Sequence, residues 1–154
     1  MLIIGYGNLD RGDDAAGLLA ARGLRDRGVV AISHSGDGLA LLDMWEAAEV
    51  VVIDAVLGLE PGSVRVFEGD EIEAAAETFP STHDFGLREA VGLGRVLGRM
   101  PRRLTVYGIG GARFERGESA SAEVIAAVER VVDELSAKSL PAHDSASAAR
   151  TNRS

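Results

Sequence analysis

The sequence predicts an α/β domain, a three-layer sandwich in which a twisted, mostly parallel sheet carries helices on both faces. Three observations lead there. Short apolar runs alternate with segments of helical periodicity along most of the 154 residues. One run, "VVVID" at Val50–Asp54, is apolar until its last residue, as suits a central strand covered on both sides. A glycine-rich turn, "GYGNLDRGDDAAG" from Gly5 to Gly17, joins the first apolar run directly to a helix.

Met1–Ile4 reads as the first buried strand. Asp14–Arg27 reads as a helix with Ala16, Leu19, Ala20 and Leu24 on its apolar side, closed by Gly28. Val29–His34 is the second strand. Gly38–Ala48 is the second helix, with Leu41, Leu42, Trp45 and Ala48 on one face and Asp37 as its N-cap. After Val50–Asp54, "SVRVFE" alternates and predicts a half-exposed strand, antiparallel at a sheet edge. Phe85–Arg99 is the third helix, with Leu87, Ala90, Val91, Gly94 and Leu97 on one side. Gly92, Gly94 and Gly98 each weaken it by about 1 kcal/mol relative to Ala, which predicts close packing on the sheet. "RLTVYGI" is another strand. Glu118–Leu135 is the last helix, striped by Val124, Val128, Val131, Val132 and Leu135. One domain therefore spans residues 1–135. Residues 136–154, small, polar and aperiodic, read as a disordered tail.

The net charge of −8 argues against nucleic acid and anionic membrane surfaces as partners, because both reward excess Lys and Arg. Without cysteine there is no disulfide, thiolate nucleophile or Cys-ligated zinc. "MLIIGYGN" lacks the basic start and long apolar core of a signal peptide, and no apolar run approaches a membrane span. The expected location is the cytoplasm.

In a parallel α/β sheet ligands bind beyond the carboxyl ends of the strands. Three segments converge there: the opening turn, the end of "VVVID", and "STHDFG" before the helix near Phe85. They offer Asp13, Asp14, Asp54, His83 and Asp84. A dinucleotide fingerprint fails, because its third glycine is replaced by Asp10, and no phosphate loop with G-K-[ST] exists. Acid repels phosphate unless a cation intervenes, so a cation is the better reading. Two carboxylates and one imidazole suit a divalent transition ion and leave positions open for water or substrate. Most of these residues also have a plain structural explanation: Asp13 or Asp14 as helix-start acids, Asp84 as a cap, His83 as a solvated loop residue; a carboxylate ending a buried strand, like Asp54, is harder to explain that way. His34 is read as structural or solvated, and His143 as part of the tail. "G-x-S-x-G" is absent, and Ser81 has no base beside it.

"GYGNLDRGDDAAG", "VVVIDAV" and "STHDFGL", in this order, resemble the hydrogenase maturation proteases, over roughly residues 1–135. These endopeptidases clip a C-terminal extension from the large-subunit precursor of nickel–iron hydrogenases once nickel is inserted. The resemblance implies a twisted, mostly parallel sheet sandwiched by helices. It implies that Asp14, Asp54 and His83 are the metal ligands and the catalytic set; beside them a spare carboxylate, Asp13 or Asp84, is a candidate base on its chemistry alone. It also implies that Gly36, Asp37 and Gly38 in "HSGDGLAL" lie near the substrate. The implied ion is nickel held by the substrate's cysteine thiolates, with a resident divalent ion as the alternative. Two positions depart from the family: its first ligand is often Glu, and Gly110–Gly111 stand where relatives often carry an acid or amide. Rival readings are a nickel- or precursor-binding chaperone without cleavage, and a metal-dependent hydrolase of small molecules.

Overall fold

The apolar run at Val50 becomes the middle of the sheet. In the computed structural model, which describes residues 1–45, 49–75 and 86–139, that strand is β3, Glu49–Val56. β1 (Leu2–Tyr6) lies on one side of it and β5 (Arg103–Gly110) on the other, both parallel to it. β2 (Ile32–His34) adds to β1 in parallel, and β4 (Val64–Glu68) adds to β5 antiparallel. Among the described residues the order is β2-β1-β3-β5-β4. The antiparallel edge strand expected from "SVRVFE" is therefore observed.

Alternation along the central strands sorts their side chains between two cores. Ile3, Val51, Ile53 and Ala55 pack with α1 (Ala16–Asp26) and α5 (Ala122–Ser139). Ile4, Val50, Val52 and Val56 pack with α2 (Leu39–Met44) and α4 (Leu87–Leu97). Each of these Val and Ile side chains, taken out of water, stabilises the fold by about 1.5–3 kcal/mol. A short α3 (Asp70–Ala74), not expected from the sequence, follows β4 and buries Ile72 alone.

Several boundaries move. The second strand pairs only over Ile32–His34, because Val29 and Ala31 bury themselves against α1 and α5 before pairing begins. The first helix is preceded by a tight 3₁₀ turn, Gly12–Ala15. Leu97 is 54% exposed and does not belong to the buried stripe of α4. Gly94 does need closeness, since a Cβ there would meet Met100 Sδ at 2.9 Å and Leu42 Cδ2 at 3.1 Å. Gly92 faces open space, and Gly98 is the left-handed C-cap, so neither reflects packing on the sheet. The last helix begins at Ala122, not Glu118, and runs four residues beyond Leu135. Ser136 is buried, and Lys138 Nζ donates to Tyr107 Oη at 3.1 Å, so residues 136–139 belong to the domain.

Chain order reverses at β1, which has β2 on one side and β3 on the other. The carboxyl ends of β1 and β3 thus form the topological switch point, where open α/β sheets place their ligands.

Candidate metal and substrate site at the sheet switch point

The glycines of the opening turn bring α1 onto that switch point. A Cβ on Gly17 would overlap the carbonyl oxygens of Ile53 and Tyr6, and one on Gly5 would overlap the Gly17 carbonyl. The first turn of α1 therefore rests on the ends of β1 and β3 at a distance only glycine permits. Gly12 adopts φ +54°, the left-handed region, as the chain enters the 3₁₀ turn. That turn delivers Asp13 and Asp14, both buried, to different partners.

Asp13 is taken up by the segment that follows β5. Its Oδ2 accepts from the backbone N–H of Ala112 at 2.9 Å and of Arg113 at 3.0 Å, and its Oδ1 accepts from Ser121 N–H at 2.8 Å. Burial pushes its pKa up, but the N–H donors of Ser121, Ala112 and Arg113 outweigh burial and hold the carboxyl below its usual range. The backbone adds to this clamp: Gly12 N–H donates to Glu118 O, and Gly117 N–H donates to Asp10 O. Asp13 is thus a latch between the opening turn and the segment after β5. With both oxygens committed and its affinity for protons lowered, it does not fit the role of a base. Gly111 is part of the same arrangement, since a Cβ there would lie 2.8 Å from Asp13 Cβ.

Asp14 and Asp54 face each other's charge. β3 does not end at Asp54 but continues to Val56, with Asp54 opposite Gly108 of β5. Asp54 is 3% exposed. Its pKa stands well above the ordinary carboxylate value, first because burial penalises its charge, then because Asp14 carries the same sign; the Ala55 N–H offsets this in part. Among the described residues no arginine or lysine enters that balance. Two buried carboxylates that repel each other are the oxygen donor set a divalent cation accepts. They fit a metal as far as two ligands go. Among the described residues no three His, Asp or Glu side chains gather around one point. His83, the expected nitrogen donor, lies outside the described residues, as do Asp84 and Ser81.

Tyr6 and His34 connect this pair to the loop after β2. The register Gly5↔Ile53 puts Tyr6 beside Asp54 at the end of β1. Tyr6 is buried, and its pKa is pushed up by burial first and then by the charges of Asp54, Asp14, Asp37 and Glu89. Its hydroxyl donates to Gly36 O at 2.7 Å. Its ring stacks on His34 with centroids 5.7 Å apart, and His34 Nε2 donates to Asp37 O at 2.8 Å. Two stacked rings thereby hold consecutive carbonyls of one loop. Asp37 Oδ1 accepts from Leu39 N–H at 2.9 Å and so starts α2, close to its expected capping role. Gly36, at φ +107°, supplies the turn. The Glu89 that acts on Tyr6 belongs to the first turn of α4, where Gly86 N–H donates to Glu89 Oε2 at 2.9 Å. Gly36, Asp37 and Gly38 are thus brought beside the carboxylate pair through Tyr6. Sequence reasoning passed over Tyr6 itself; its signal was an aromatic side chain between the two glycines of "GYGN".

The family model for HycI, hydrogenase maturation protease, matches residues 34–138. That span includes Asp54 and His83 and begins after Asp14. The chain is 31% identical over 117 residues to the hydrogenase expression/formation protein HupD of Thiocapsa roseopersicina, covering 71% of this chain and 53% of that protein. It therefore spans about half the length of that relative. It is 28% identical over 117 residues to the hydrogenase 2 maturation protease of Escherichia coli (strain K12), covering 71% of each. The fold matches the [NiFe] hydrogenase maturation protease HybD from Thermococcus kodakarensis with a TM-score of 0.72 and 28% identity, over 90% of this chain and 97% of that one. With a family model matched over more than half its length and a mostly parallel sheet, five-stranded among the described residues, that matches a solved member of the family, this chain belongs to the hydrogenase maturation protease family.

Proposed function

We propose that the chain is a cytoplasmic endopeptidase that removes a C-terminal extension from the nickel-loaded large-subunit precursor of a nickel–iron hydrogenase. The observation that carries this reading is the Asp14–Asp54 pair, buried at the switch point of a hydrogenase maturation protease fold. In this reading the nickel belongs to the substrate. Asp14 and Asp54 supply oxygen donors to it, and His83 supplies a nitrogen. The pair accepts a cation readily because bringing positive charge between two buried like charges removes their repulsion. A metal-free precursor offers no such relief, so the same geometry selects for precursor that has received its metal.

When present, the ion supplies Lewis-acid polarisation of a nearby carbonyl or acidification of a bound water. The chain's own residues do the positioning. Tyr6 and His34 fix the Gly36–Gly38 loop beside the carboxylates, and Asp13 fixes the turn that presents Asp14. The absence of cysteine and of a serine triad gives an acyl-enzyme route no support. Asp84 is left as the candidate base.

The test mixes purified chain with nickel-loaded precursor and follows the precursor's C-terminus by mass. Loss of a discrete peptide with wild type, and retention with Asp54→Asn, is the expected result. Stable binding without cleavage would replace the protease reading with a chaperone or checkpoint. No interaction with precursor, together with turnover of small amides or esters, would replace it with a small-molecule hydrolase.

A further inference from the structure

The two edges of the sheet are built differently. β4 carries Arg65 and Glu68, and the Arg65 guanidinium lies 5.0 Å from the Phe67 ring centroid. Charged edge strands of this kind resist pairing with other chains. β2 carries no such guard within the strand: residues 29–35 read "VVAISHS", without lysine, arginine or proline, and, among the described residues, the one charge on its edge, Arg25, comes from α1 and covers only the Ala31 end. Among the described residues β2 pairs with β1 alone.

The register fixes which backbone groups face the open side. Gly7 N–H donates to His34 O, with Tyr6 opposite His34, so His34 directs its peptide groups toward β1. Ser33, one residue earlier, then directs its N–H and C=O outward. The outward carbonyl of Ala31 is already taken by Arg25 Nη1 at 3.1 Å, and the same nitrogen donates to Ser33 Oγ at 2.9 Å. Among the described residues, what remains open is the stretch from Ser33 to Ser35, which runs into the Gly36–Gly38 loop held by Tyr6. Beside it lies a cleft of about 210 Å³ bounded by Leu9, Leu18, Leu19, Ser33 and Ser35 and by two arginines, Arg22 and the Arg25 that already holds Ala31 and Ser33. Leu9 is 61% exposed at its rim. Arg22 is exposed there too, in a chain whose net charge is −8.

We propose that the open edge of β2 receives the precursor's C-terminal segment as an added strand, with an apolar side chain in the Leu9–Leu18–Leu19 cleft and an acidic side chain on Arg22. This rests on the function proposed above. Strand addition gives main-chain hydrogen bonds at the edge, and the cleft gives side-chain selection. The positive rim selects against basic segments. The edge ends at the loop beside Asp14 and Asp54, so a peptide seated on it is led to the carboxylate pair. Three residues of edge span only about 10 Å. That is little for a stable dimer but sufficient for a peptide also held through its metal.

The experiment measures single-amide hydrogen exchange of the full chain with and without nickel-loaded precursor, quenched before turnover. Precursor affinity of wild type and Arg22→Glu is measured in parallel. Ser33 N–H exchange is expected to slow at least tenfold on precursor addition, while His34 N–H, already directed at β1, changes little. Arg22→Glu is expected to weaken precursor binding about tenfold at an unchanged melting temperature. Exchange of an acidic residue in the precursor's C-terminal segment for lysine should restore it. Cleavage with no change at Ser33 would overturn the docking proposal and leave the protease reading intact. Protection of Ser33 without cleavage would do the reverse. Protection of Ser33 in the chain alone, with a dimer mass in sedimentation, would assign the edge to a second copy and overturn the proposal, as would no binding of precursor at all.

Discussion

Truncating Asp13 removes the acceptor of the backbone N–H groups of Ala112, Arg113 and Ser121 at a part-buried clamp. Water can reach part of this clamp, so Asp13→Ala should lose about 1–3 kcal/mol in chemical denaturation, and Asp13→Asn less. The pH dependence has a fixed sign. The folded pKa of Asp13 lies below its unfolded value, so the unfolded chain takes up the proton first as pH falls. The stabilisation is complete above the unfolded value of about 4 and is lost as pH falls through the lowered folded one. The stability gap between wild type and Asp13→Asn should therefore be full at pH 7 and shrink below about pH 4; a gap that widens in acid would contradict the latch. Tyr6→Phe removes one hydroxyl and its bond to Gly36 O, a loss of about 1 kcal/mol. The fold should survive, while amide exchange across Gly36–Gly38 quickens and the KM for precursor rises more than kcat falls. Unchanged exchange in that loop would show that His34 holds it alone.

At the scale of elements, glycines divide by what their missing Cβ would meet. Gly17→Ala pushes a methyl group into the Ile53 and Tyr6 carbonyls and must lift α1 from the switch point. It should cost several kcal/mol and displace Asp14. Gly92→Ala, inside α4 and facing open space, should instead raise stability by about 1 kcal/mol. Thermal unfolding of both variants checks the pair. The same contrast explains what was legible in the sequence. β3 and the alternating β4 announce themselves by pattern, because burial on two faces or one is written into consecutive residues. The edge strand β2 is shorter than its apolar run, since Val29 and Ala31 serve helix packing rather than pairing. α3 has one buried residue and no period to read. Asp14 and Asp54 could be placed because strand ends and motif order bring them to one edge. Asp13's partners lie 99 to 108 residues away, beyond any local pattern.

Across the whole molecule, two anchors hold the site: the clamp of the opening turn against residues 111–121, and α5 lying along α1. Lys138, bonded to Tyr107 of β5, and the buried Ser136 hold the last turn of α5 against the domain. A chain ending at Ser139 should match the full chain in melting temperature, whereas one ending at Leu135 should lose about 1–2 kcal/mol with the Lys138–Tyr107 contact and the buried Ser136. Equal stability of the two truncations would place the domain boundary back at residue 135. The central claim is that the buried carboxylates serve to meet a metal arriving with the substrate. The most direct measurement is the rate of precursor shortening, by mass, for wild type, Asp54→Asn and His83→Ala, each with nickel-loaded and nickel-free precursor. The account predicts rapid cutting only for wild type with nickel-loaded precursor, and a loss of at least a hundredfold in the other five combinations. Equal cutting of nickel-free precursor by wild type would contradict it.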